Sequence, residues 1–168
     1  MLSPRKVKFM AKKKENENIR FRSYLKNHAD EKELDEQFLR LHNELFEGYD
    51  CNRCRNCCKL FYGGIPEEDI QKDAEYLKMS KEQFVDTFLQ KDEMNGEFRT
   101  KHKPCDFLQE NGECKLGECR PENCKKYPYT NQPERLGSLY SVLEAVEICP
   151  VAFEIYEKLK SEYGFSAY

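Results

Sequence analysis

The sequence predicts a mostly α, small and loop-rich domain with a short β-hairpin, cysteine-rich and stabilised by bound metal. Three observations predict it. Nine of 168 residues are cysteine, and four of them fall in eight positions as Cys51-Asn-Arg-Cys54-Arg-Asn-Cys57-Cys58, spaced C-x2-C-x2-C-C. Apolar residues recur at helical spacing in several segments. Charged residues make up 35% of the chain and the mean hydropathy is −0.90, so the apolar core is small. In such a chain the binding of a metal becomes folding free energy. The length suits one domain.

Residues 1–29 read as a basic N-terminal arm and residues 30–168 as the cysteine-cluster domain. Residues 1–26 hold nine Lys/Arg against Glu15 and Glu17, a net +7, whereas the remainder is −10. Arg5 to Lys14 shows little apolar pattern, so a solvated, mobile segment is expected there. Nucleic acid is expected to bind only through this arm, because affinity for phosphates needs the positive charge that the remainder lacks.

A helix follows, capped by Asp30, with Leu34, Phe38, Leu41 and Leu45 along one face and Gly48 after its end. Phe61-Tyr62-Gly63-Gly64 reads as a tight turn. Pro66, Glu67, Glu68 and Asp69 open a second helix with buried Ile70, Ala74 and Leu77. Ser80 and Gln83 form the capping box of a third, with Phe84, Phe88 and Leu89 facing inward. Asn95-Gly96 marks a turn. Cys105–Leu108 and Cys114–Leu116 flank Asn111-Gly112, a hairpin signal that would bring Cys105 and Cys114 together. Arg120-Pro121 begins a short turn or helix carrying Cys124. The last helix runs from about Pro150 to Tyr163, with Cys149 at its N-terminus, where the dipole favours a thiolate.

Two-residue gaps turn successive sulfurs towards one centre, which suits a metal at about 2.3 Å from each sulfur or an iron–sulfur cluster held by thiolates. Neighbouring side chains diverge by roughly 100° on a helix and oppose one another on a strand. Cys57 and Cys58 are therefore expected to feed two sites. One would use Cys51, Cys54, Cys57 and Cys149; the other Cys58, Cys105, Cys114 and Cys124. Cys119 is the spare, read as a free or packed thiol. His102 is read as an exposed polar residue between Lys101 and Lys103, and His28 and His42 lie away from the cysteines in sequence. An all-sulfur set admits zinc and iron alike, the latter as ions or as a 4Fe–4S cluster.

No apolar run approaches the roughly 20 residues of a membrane span, and no signal peptide is recognisable. The expected compartment is the cytosol, where thiols serve as metal ligands more often than as disulfides. No Gly-rich phosphate loop, dinucleotide fingerprint or nucleophile arrangement is present, so no catalytic residue is assigned.

The segments C-x2-C-x2-C-C, Pro104-Cys-Asp-Phe-Leu108, Asn111-Gly-Glu-Cys114, Arg120-Pro-x-x-Cys124 with Tyr127-Pro128, and Cys149-Pro150 together resemble the YkgJ-like cysteine-cluster family, which is described as zinc- or iron-chelating. The resemblance spans about residues 51–151. It implies that Cys51, Cys54, Cys57, Cys58, Cys105, Cys114, Cys124 and Cys149 are the family's positions and leaves out Cys119. Gly117 stands where the family usually has an aromatic residue. Some relatives are flagellin lysine N-methylases, in which this domain is part of a larger protein. The resemblance thus implies a metal-binding structural, redox or chelation module first. A relative or subunit of a protein lysine methyltransferase is the second expectation. A zinc adaptor touching RNA or protein through residues 5–26 is the third.

Overall fold

Helical spacing of buried residues organises the chain from its start, as a computed structural model that describes residues 1–166 shows. In chain order the elements are α1 (Pro4–Lys13), α2 (Glu15–His28), α3 (Glu31–Phe46), α4 (Cys51–Cys54), α5 (Asn56–Leu60), β1 (Gly64–Ile65), α6 (Ile70–Tyr76), α7 (Lys81–Phe88), β2 (Leu89–Lys91), β3 (Phe98–Thr100), α8 (Glu122–Lys126), α9 (Leu139–Val146) and α10 (Pro150–Glu162). They fall into two units. One joins Met1–Tyr49 to the stretch from Pro128 onward, and the other is Asp50–Tyr127.

The first unit is helical. Asp30 caps α3 by accepting from the Glu33 N–H, and Leu34, Phe38 and Leu41 are buried along one face. They share a core with Leu139, Val142 and Val146 of α9 and with Val151, Ile155, Tyr156 and Leu159 of α10. Residues 4–28 are not a mobile arm. They form α1 and α2, which bury Val7, Ala11, Phe21 and Leu25 in this core. Fully burying a side chain the size of Phe21 or Leu25 contributes roughly 1.5–3 kcal/mol, enough to hold so charged a segment. Two apolar positions per helix are fully buried, each pair four residues apart, and the surrounding lysines hide that stripe. Phe21 also meets Tyr156 edge-on at 5.1 Å. Buried Lys160 donates to Glu17 (2.6 Å), Asn18 (2.6 Å) and Glu157 (2.7 Å), so its three protons are all used. Helix α9 was not anticipated from sequence, because it spans two turns and carries no capping side chain.

The second unit is built on a smaller core of Ile65, Ile70, Ala74, Phe84, Leu89, Phe107 and Leu116. Ser80 and Gln83 close the expected capping box of α7. The regular hairpin is β2–β3, turning through Asn95-Gly96, with β1 added antiparallel to β3 in the order β1-β3-β2. At the expected site, 105–116, the ladder shrinks to a single bridge between Leu108 and Cys114. Its arms are held instead by Phe107, which stacks on Phe84 at 5.7 Å and lies 4.9 Å from Phe88. Gly63 and Gly64 do not make a turn; Gly64 opens β1, and the Gly63 carbonyl accepts from the Thr100 N–H (2.9 Å).

Asp73 of α6 is fully buried, and neither carboxylate oxygen has a hydrogen-bond partner among the described residues. Burial pushes its carboxyl up to about 6, with Asp69 reinforcing and Lys72 opposing the shift. A group raised in the folded state favours folding most below its unfolded value, and that contribution is lost as pH rises through the folded value. Stability should therefore fall between pH 4 and pH 7 by an amount approaching roughly 3 kcal/mol. Asp73→Asn should remove that slope; parallel urea-unfolding profiles for the two proteins across this range would show the reading to be wrong.

Candidate metal centre

The cysteine-rich segment begins with two short helices. Asp50 caps α4, its carboxylate accepting from the N–H groups of Asn52 (2.9 Å) and Arg53 (3.3 Å). This places Cys51 and Cys54 at the two ends of one turn. Arg55 then takes a left-handed conformation (φ 47°), which ends α4 and starts α5, the helix bearing Cys57 and Cys58. Cys57 hydrogen-bonds to Cys58; of these adjacent residues Cys58 lines the pocket described next and Cys57 does not.

Cys58, Cys105, Cys114 and Cys124 line one pocket with Arg55, Gly63, Phe107 and Arg120. These are the four cysteines grouped from sequence as one site. Three features bring them there. The Cys105 N–H donates to the Cys58 carbonyl (2.8 Å). The Leu108–Cys114 bridge folds Cys114 back beside Cys105. Arg120 donates to the Cys124 carbonyl (3.1 Å), tying α8 to the segment before it. Gly63 makes room for the group, since a Cβ there would stand 2.8 Å from Cys105 Sγ and 3.1 Å from a Thr100 methyl.

The remaining cysteines are distributed differently. Cys51 is exposed and Cys54 half-buried. Cys119 ends a 3-10 turn, Gly117–Cys119, and packs beside the second core, as Cys105 and Cys114 also do. Cys149 is the N-cap residue of α10 in the first unit, half-buried against that unit's core. His102 is exposed and bonds through Nδ1 to Asp106 (2.7 Å). Tyr127 packs edge-on against Phe61.

Sequence reasoning missed Arg55 and Arg120. Arg55 is buried, donates through Nε to the Gly112 carbonyl and through Nη2 to Asn52 Oδ1, and lies 3.9 Å from Cys58 Sγ. The only local sign is its place between two cysteine turns. The hydrogen bond from Cys57, together with the charges of Arg55 and Arg120, draws the Cys58 thiol down to about 6. Burial pushes Cys124 up to about 11 and raises Cys105 and Cys114.

Among the described residues, no three His, Cys, Asp or Glu side chains stand at metal-holding geometry. The donor set nevertheless fits zinc or iron. It comprises four sulfurs converging from separate segments with no competing carboxylate in the lining, and soft thiolates select these metals over magnesium or calcium.

The second unit, of short helices and a small sheet, brings four thiols into one pocket, the donor chemistry of a metal-binding protein. Residues 50–150 match the CxxCxxCC family model, described as "Putative zinc- or iron-chelating domain". The match covers more than half of the chain, which belongs to this family; metal binding is its general role. Comparison with curated proteins and with solved structures gave no match. Among the described residues, no helix is long and apolar enough to cross a membrane.

The Arg55 anchor depends on Gly112, whose φ is +85° and where a Cβ would stand 1.9 Å from the Asn52 carbonyl oxygen. Gly96 also has positive φ (+70°) but faces open space. Gly96→Ala should cost only the left-handed strain, about 1 kcal/mol. Gly112→Ala adds a backbone clash and should cost about 3 kcal/mol or more. Equal costs in urea unfolding would remove the close approach as the reason for glycine at 112.

Proposed function

We propose that the chain chelates a zinc or iron centre through Cys58, Cys105, Cys114 and Cys124, and that this centre is structural. The observation that carries the reading is the common pocket of those four thiols. The size of the second unit's core supports a structural role. Seven buried apolar residues, one of them an alanine, serve a unit running from Asp50 to Tyr127. Metal–thiolate bonds supply the cross-links that such a core lacks. Cys51, Cys54 and Cys57 are proposed as further donors in the same unit and Cys149 as a donor in the first.

Zinc would bind the four thiolates as a tetrahedral ion, whereas iron would bind them as an ion or a cluster; in either case each thiol gives up its proton. Elemental analysis of protein purified without air and without chelator tests the proposal. Stoichiometric zinc in colourless protein or iron in coloured protein is expected, with sulfide if the iron forms a cluster. Fully folded protein containing neither metal would defeat the proposal. Cys114→Ser should lower Tm by about 10 °C or more, whereas Cys119→Ser should shift it by less than about 4 °C. Equal shifts in calorimetry would show that Cys119 is a ligand or that Cys114 is not.

A further inference from the structure

Arg55 and Arg120 present an electrostatic problem whose solution lies in the same pocket. Arg55 is only 5% exposed and Arg120 is half-buried. The partners that hold them include no carboxylate: they are the Gly112 and Cys124 carbonyls, the Asn52 amide oxygen and, for Arg55, the Cys58 sulfur. Among the described residues, neither guanidinium has a carboxylate within ion-pair distance. A buried charge without a counter-charge costs several kcal/mol, and both arginines line the pocket that holds the four thiols.

We infer that Arg55 and Arg120 are the counter-ions of the thiolate centre, with Arg55 also positioning Cys58. The inference rests on the proposed four-sulfur centre and goes beyond it. Four thiolates around one dication carry a net charge of minus two, and two guanidinium groups bring the pocket to neutrality. The arginines favour the thiolate-rich state over a pocket of neutral thiols, and so strengthen metal retention. The two residues divide the work. Arg55 uses its planar fork to fix the α4–α5 turn against Gly112, a geometry that lysine cannot reproduce. Arg120 acts chiefly as a charge.

The test is titration of the full chain, reduced and metal-free, with Co2+, read through thiolate-to-cobalt charge transfer. Arg120→Met should weaken cobalt binding about 10- to 100-fold, the range typical of groups that support metal ligands. Arg120→Lys should restore most of the affinity. Arg55→Met should weaken binding at least as much, with Arg55→Lys restoring only part. Arg53→Met, an exposed arginine within the same motif, should bind like the wild type. If Arg55→Met does not fold, the Arg120 series decides alone. Wild-type affinity in Arg120→Met, or equal losses in Arg120→Met and Arg120→Lys, would overturn the counter-ion role. Absence of thiolate–cobalt bands in the wild type would instead overturn the four-sulfur centre and the inference with it.

Discussion

Four sulfurs from separate segments meet because one buried guanidinium ties two of those segments together. Arg55 occupies the left-handed residue between α4 and α5 and reaches across to the Gly112 carbonyl. That bond adds to the Cys105–Cys58 backbone hydrogen bond and the Leu108–Cys114 bridge, and fixes the turn before Cys58 against the loop leading to Cys114. Gly112 and Gly63 serve the same end by leaving out a Cβ where backbone and sulfur come close. The site is therefore defined as much by residues with no metal chemistry of their own as by its cysteines.

The two units solve the problem of high charge in different ways. The first buries many large apolar side chains and saturates one interior lysine with three oxygen acceptors. The second has a short aromatic stack of Phe84, Phe88 and Phe107 and leaves its interior arginines facing sulfur. Hydrophobic burial alone is a weak source of stability for a unit of this size. The proposed metal and its counter-ions are placed where that shortage falls.

Elements with strong local signals were legible in the sequence. Asp30 with Leu34, Phe38 and Leu41 announced α3, the Ser80–Gln83 box announced α7, and Cys149-Pro150 announced the start of α10. The approach of Cys114 to Cys105 was readable from the turn at Asn111-Gly112, and the assignment of Cys58 rather than Cys57 to their pocket rested on the divergence of adjacent side chains. What stayed hidden depends on partners remote in the chain. Val7, Ala11, Phe21 and Leu25 look incidental among lysines until α10 covers them. Asn95-Gly96 reads as a bare turn until β1 completes the sheet. Arg55 resembles any surface arginine until the Gly112 carbonyl accepts a hydrogen bond from its Nε–H.

The first unit is discontinuous: its helices α1–α3 and α9–α10 are separated in sequence by the whole of the second unit. During synthesis, Phe21, Phe38 and their neighbours leave the ribosome before the residues that will cover them have been translated. The intervening unit is contiguous and meets its own partners first. The order of translation thus makes every partner of the cysteine-bearing loops within Asp50–Tyr127 available before α9 and α10, which α1–α3 need to complete their core.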